Sequence, residues 1–403
     1  MRISLAEPGA TRSQFANNIR EIVDETVTEQ MLDDLFDTLD AVCCNRRFAT
    51  QYVDVLTILE TNSEKPARLL VEVNRTRKCL QDGDGELNDV ECEHVNQVLI
   101  EPLNRLRTAL IVVDFQNDFV AGSLAIKNGS AAEDPAEALV PLNRLLVECP
   151  FTLIVYTMDW HPYNHISFWE HCRNSDRKLC AEDRARKLKP FDVVRFETPD
   201  VEQATRRNKG RQKPRSRQNI NKDNGAIADY LYLILQKLYP AHCIEDSWGA
   251  DLDSQLIRVK DSVLIKKGTE TYADSYSAFK DNKKKRRQPL SVFSFSRISF
   301  STELEDVLRS ESIDAIFVCG LAYDVCVAAT ANDGAELGFL TALIADCSKG
   351  LNTFEMKRVN EELSQKSVPI LNSDSVHRIV ADNLIPWQWI RSLVGLTVPP
   401  TPE

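Results

Sequence analysis

Two textures of apolar residues divide the chain. In NNIREIVDETVTEQMLDDLFDTLDAV, Ile19, Ile22, Val23, Val27, Met31, Leu32, Leu35, Phe36 and Leu39 recur at spacings of three and four. That is the period of a helix with one buried face. YVDVLTIL and EHVNQVLIEPLNRL share it, so a small helical region is expected over 1–104. From about residue 107 the texture changes. Short β-branched runs (ALIVVD, TLIVYTMD, SVLIKKG, AIFVCG and TALIADC) alternate with helical stretches. These runs are uniformly apolar rather than alternating, which suits strands buried on both faces. An α/β domain with a parallel sheet over 107–395 is the expectation.

Composition narrows the class. A length of 403 residues suits two or three domains, and a hydrophobic fraction of 43% supplies a packed core. Lys+Arg 49 against Asp+Glu 60 leaves a net charge of −11, so no specific nucleic-acid partner and no anionic membrane surface is expected. No apolar run reaches the length of a membrane span, and the first residues lack the apolar core of a secretory signal. Eleven cysteines, two of them adjacent at Cys43 and Cys44, suit reduced thiols in the cytoplasm better than a disulfide framework. Two segments break the alternation, RRNKGRQKPRSRQNINK from Arg206 and KDNKKKRRQP from Lys280. Both are basic without apolar period and are expected as solvated insertions near 181–228 and 280–290. KKKRR also has the composition of a nuclear-import or RNA-contacting patch. A homo-oligomer is compatible with this sequence.

LQDGDGELNDVE, Leu80 to Glu91, lies on the twelve-residue EF-hand loop with Gly85 at the sharp sixth position. Asp82, Asp84, Glu86 and Glu91 are then the candidate calcium ligands, and Leu87 takes the apolar eighth position. Leu80 stands where the first carboxylate belongs. Calcium binding, a metal-free EF-hand-like helix pair and an unrelated acidic helical turn all remain open.

The chemistry gathers at the ends of the apolar runs, where parallel sheets carry their active crevices. Asp159 and His161 follow TLIVYTM, and His242 lies in YPAHC. One carboxylate and two imidazoles leave positions open for water or substrate, as a catalytic metal site requires. Asp114 ends ALIVVD and Lys267 ends SVLIKK. Cys326 follows Gly320 by six residues and opens the helical text CVAATANDGAEL. A helix N-terminus and a nearby lysine favour a thiolate. Taken singly, each of these is equally a turn carboxylate, a surface histidine or a buried small thiol.

The phrases IVVDFQNDFVAGSLA, MDWHPYNHISF, YPAHCIEDSWGADL, KKGTETYADSYSAF and VCGLAYDVCVAATANDGAELGF resemble the nicotinamidases of the isochorismatase-like hydrolase superfamily. With the acidic N-terminal region, the resemblance is to the animal-type form. It implies a doubly wound α/β fold, mainly parallel with helices on both faces, preceded by a small all-α EF-hand-like domain. It places catalytic roles on Asp114, Lys267 and Cys326, and metal ligation on Asp159, His161 and His242. The metal would be zinc, although iron and manganese use the same ligand set. His165 is spaced differently from a further histidine of some relatives and is not expected to ligate. An oxyanion hole falls on the N–H groups of Ala322 and Cys326, with a cis peptide between Leu321 and Ala322. Substrate-facing aromatics would be Phe119, Tyr239 and Tyr276, with Tyr239 standing where many relatives have Trp. The implied activity is hydrolysis of nicotinamide to nicotinate and ammonia through a cysteine thioester, in NAD salvage. Lys267 would keep Asp114 ionised and Cys326 thiolate-like. The alternatives are a related amide hydrolase with another substrate, and a calcium-responsive binding protein on an inactive hydrolase fold.

Overall fold

The computed structural model describes residues 10–23, 27–40, 86–87, 89–104, 106–197, 233–282 and 302–396. Its centre is a six-stranded sheet. In chain order the strands are β3 (Thr108–Val113), β4 (Leu153–Asp159), β8 (Val263–Lys267), β9 (Ala315–Leu321), β10 (Leu340–Lys349) and β11 (Ile370–Leu371). Their spatial order is β11-β10-β9-β3-β4-β8, and every neighbouring pair is parallel. The chain starts in the middle at β3, winds outward through β4 to β8, then returns to the other side of β3 at β9. The winding therefore reverses between β3 and β9, the switch point at which open α/β sheets form a crevice.

The uniform apolar runs have a direct structural cause. Leu110 and Val112 of β3 enter one core, with Leu139, Leu142 and Leu146 of the helix Ala136–Glu148. Ala109, Ile111 and Val113 enter the opposite core, with Leu304 and Leu308 of the helix Leu304–Ser310 and Ala331 of the helix Ala328–Glu336. Alternate residues of one strand thus face two helical layers, so both parities must be apolar. This is the doubly wound α/β class implied by the resemblance.

The N-terminal residues fold as two helices, Arg12–Ile22 and Glu29–Asp40, and a further helical run begins at Asp89–Val95. Two short strands, β1 (Ala10–Thr11) and β2 (Glu86–Leu87), pair antiparallel. Phe15, Ile19, Leu35, Phe36, Val95 and Leu99 belong to the same core as Leu110 and Phe317 of the central sheet. The joint runs through the helix Trp387–Val394. Trp389 is fully buried, its Nε1 donates to the Thr341 carbonyl at 3.0 Å, and its ring meets Phe317 at 5.5 Å. Ile385 N–H donates to Ile22 O at 2.7 Å. The helical region thus shares its core with the central sheet rather than standing apart from it.

Of the expected insertions, 181–197 is folded rather than looped. It holds the short helix Ala181–Ala185 and β6 (Val193–Glu197), which pairs antiparallel between β5 (Lys178–Leu179) and β7 (Leu233–Lys237). Leu179, Val194 and Phe196 pack under this small sheet, and that apolar face explains why the segment folds. Arg206–Lys222, KKKRR, YVDVLTIL, Asp82 and Asp84 lie outside the described residues. Glu86 is exposed, and Glu91 lies within the helix Asp89–Val95. Among the described residues, no helix is long and apolar enough to cross a membrane.

Candidate active site

The carboxyl ends of β3, β4, β8 and β9 converge, and each delivers one group. Asp114 follows β3 with φ 47, a left-handed turn that leaves the strand sharply. Asp159 and Lys267 are the last residues of β4 and β8 and are paired in register. Cys326 lies in the wide turn Tyr323–Val327 after β9, immediately before the helix Ala328–Glu336. The peptide Leu321–Ala322 is cis, as the resemblance implies. Gly320, with φ 118, has no space for a side chain, because a Cβ would lie 2.0 Å from Val113 O. Only glycine lets β9 approach β3 this closely at the switch point.

Lys267 is the hub. Its Nζ lies 2.8 Å from Asp114 Oδ2, 2.5 Å from Asp159 Oδ1, and 3.5 Å from Cys326 Sγ, and it donates to Ser275 O at 2.9 Å. Asp114, Asp159 and Cys326 present atoms that lie within 4.8 Å of one another. All four side chains are buried. Burial opposes the lysine charge, but Asp114 and Asp159 outweigh it and hold its pKa well above the ordinary value. Asp114 is raised to about 6 by burial, against the pull of Lys267. Burial also opposes ionisation of Asp159, yet Lys267 and then His161 outweigh it and hold this carboxyl low.

The thiol departs from the sequence expectation. Burial pushes Cys326 well above its usual pKa, Lys267 pulls against this, and Asp114 adds to the rise. Burial thus works against the thiolate that a helix terminus and a lysine favour.

Next to this cluster, Asp159, His161 and His242 offer ligand atoms within 4.8 Å of one another. His161 Nδ1 lies 2.9 Å from Gly268 O, and His242 Nδ1 lies 2.8 Å from Pro240 O. A carbonyl can only accept, so Nδ1 carries the proton in each neutral ring and Nε2 keeps its lone pair. Those Nε2 atoms lie 3.6 and 4.0 Å from Asp159 Oδ2. This is how metal-ligating histidines are oriented by their outer partners. Burial opposes a charge on His161, but Asp159 outweighs it and raises its pKa. Burial and then His161 lower His242 to about 4, so that ring is neutral and free to ligate near pH 7. His165 stacks on His161 at 4.1 Å. It too has ligand geometry with His161 and Asp274, but its ring nitrogens face Ser167 Oγ at 2.7 Å and Ala273 O at 3.2 Å.

The three expected aromatics gather on one side. Phe119 and Tyr239 lie 5.6 and 5.8 Å from the His242 ring, and Tyr239 lies 6.4 Å from Tyr276. The Tyr239 hydroxyl donates to that of Tyr276 at 3.4 Å. Sequence reasoning missed two residues. Phe168 is fully buried and sets its edge against His161, His165 and His242 at 5.5–5.7 Å. Gln116 brackets Asp159, donating to its carbonyl at 2.8 Å and accepting its N–H at 2.9 Å. Both stand inside quoted motifs, HISF and DFQNDF, but nothing in the sequence spacing marks which buried group each of them faces.

Fold and site together define a doubly wound α/β protein with a thiol–carboxylate–lysine cluster beside a metal-type trio. A family model described as the isochorismatase domain matches residues 183–375. The nicotinamidase of Acinetobacter baylyi is 30% identical over 244 residues, covering 60% of this chain and 82% of that protein. The nicotinamidase of Saccharomyces cerevisiae is 25% identical over 272 residues, covering 65% of this chain and 98% of that protein. A solved Acinetobacter baumanii nicotinamidase/pyrazinamidase is 27% identical, covers 67% of this chain and 98% of its own, and superposes with a TM-score of 0.47. The chain belongs to the isochorismatase-like hydrolase family.

Proposed function

We propose that the protein is a nicotinamide amidohydrolase, releasing nicotinate and ammonia for NAD salvage; its similarity to proteins named as nicotinamidases supports the reaction. The observation that carries this reading is the contact of Lys267 with Asp114, Asp159 and Cys326 at once. Asp114 accepts the thiol proton as Cys326 Sγ attacks the carboxamide carbon. A buried carboxyl with a pKa near 6 is suited to take that proton and return it. The developing oxyanion rests on the N–H groups of Ala322 and Cys326, worth about 3 kcal/mol per donor. Asp114 then protonates the departing amine, which leaves as ammonia and strands the acyl group as a thioester on Cys326. Asp114, now a carboxylate, takes a proton from water as it attacks the thioester; the C–S bond breaks, Asp114 returns that proton to Cys326 Sγ, and nicotinate leaves after losing its acid proton to solvent. Lys267 holds its positive charge throughout and keeps the site's two carboxylates compatible.

Asp159, His161 and His242 would hold zinc, an assignment supported by two imidazole lone pairs and a carboxylate within reach of one another. A divalent cation held there would supply Lewis-acid chemistry at the substrate's pyridine ring. Phe119, Tyr239 and Tyr276 would enclose the ring. Cytoplasmic residence belongs to the same proposal, supported by the buried thiols of Cys319, Cys326 and Cys347, which are not joined in disulfides. Calcium at Asp82, Asp84, Glu86 and Glu91 is a subordinate reading. It is favoured by the ladder that pairs Leu87 with Ala10, each strand running toward a helix.

The test is ammonia release from nicotinamide by the purified protein, with and without a chelator. Chelator-sensitive release supports the whole proposal. No release from folded, metal-loaded protein removes it, and a different amide must then be sought.

A further inference from the structure

We propose that Thr157 is a positioning residue for this reaction, fixing the Asp114 carboxylate against Lys267 and Cys326. The proposal rests on the amidohydrolase reading above. Thr157 is fully buried on β4, one strand away from the residue it serves. Its hydroxyl donates to Asp114 Oδ1 at 2.6 Å. The same Oγ1 accepts the Asp114 N–H at 3.2 Å, and the Thr157 carbonyl shares that donor at 3.2 Å.

The direction of the hydroxyl proton follows from this pairing. Since Oγ1 already accepts from the Asp114 main chain, its own proton must point to the carboxylate. One side chain therefore ties the backbone of Asp114 to its carboxyl group. That tie has work to do, because Asp114 sits in a left-handed turn where the backbone alone sets no unique side-chain direction. With Oδ1 held by Thr157 and Oδ2 facing Lys267, the carboxylate cannot rotate away from Cys326. The reaction as proposed needs the carboxylate in place three times, for the thiol, for the leaving amine and for water. A shift of about 1 Å in such a group costs on the order of a hundredfold in rate.

The Thr157 hydroxyl acts on Asp114, which is neither a residue of the metal trio nor one of the aromatics, so its loss should act on kcat and not on binding. Thr157→Val should lower kcat by about thirty- to a hundredfold, with KM within about twofold and bound metal unchanged. Thr157→Ala, which adds no bulk to the core, should behave alike. Thr157→Ser keeps the hydroxyl and should return kcat to within about threefold of wild type. Thr157→Ala with near wild-type kcat would overturn the proposal even if the valine variant failed to fold. So would a serine variant as slow as the alanine one. The wild-type control separates the two claims: without ammonia release there the amidohydrolase reading fails, whereas with it only the positioning role is at stake.

Discussion

Replacing Lys267 by Met keeps most of the side-chain volume and removes the one charge that touches both buried carboxylates. In the wild type, Nζ lies 2.8 Å from Asp114 and 2.5 Å from Asp159. Removing one partner of a buried ionic cluster costs about 3–5 kcal/mol. The variant should therefore lose about that much at pH 8, measured by urea unfolding after chelation so that no other cation serves the carboxylates. The pH dependence then has a definite sign. Asp159 is held low in the native protein, so its contribution is present above the unfolded carboxyl pKa and is lost as pH falls through the folded one. Without Lys267, two carboxyl groups share one dry site, and at least one takes a proton above its unfolded pKa. The native variant then binds more protons than its unfolded state, so its stability rises as pH falls. The gap to wild type should narrow from pH 8 to pH 5, by up to about 1.4 kcal/mol per pH unit for each proton taken up. The variant's kcat should fall at least a hundredfold, since a protonated Asp114 accepts nothing. Equal stability at pH 8, or a gap indifferent to pH, would refute this account of the hub.

Other outcomes follow from single contacts. Gly268 has φ +66, and a Cβ there would lie 2.4 Å from His161 Cε1. Gly268→Ala should weaken metal binding by about ten- to a hundredfold, and an unchanged metal content by elemental analysis after dialysis would contradict it. Burial raises Asp114 to about 6, and as the proposed base it works only when ionised, so kcat should decline as pH drops through that value. A profile flat from pH 7 to pH 5 would show that another group takes the proton. Trp389→Ala removes a buried indole and leaves the Thr341 carbonyl without its donor. It should cost about 3–5 kcal/mol in thermal or urea unfolding, and a loss under 1 kcal/mol would mean that the joint between the helical region and the sheet is loose.

The parallel sheet was legible because both parities of each strand are buried. A run such as ALIVVD therefore shows no alternation, and its length and terminal Asp114 mark where the strand ends. The site was legible for the same reason, since three of its groups, Asp114, Asp159 and Lys267, sit at run ends. Three things were hidden. Gln116 and Thr157 act through hydrogen bonds across strands, and no spacing in one sequence reports which buried polar group faces which. The protonation of Cys326 depends on burial, which here outweighs the lysine and the helix terminus read from local text. The shared core of the N-terminal helices and Trp389 was also invisible, because those residues are more than three hundred positions apart.

The central claim is that Cys326 carries the acyl group of nicotinamide. Acid-quenched turnover followed by intact-protein mass spectrometry tests it directly. A nicotinoyl adduct that maps to Cys326, forms before ammonia release is complete and is absent from Cys326→Ala is the expected result. Sustained turnover by Cys326→Ala, or an adduct on another residue, would contradict it.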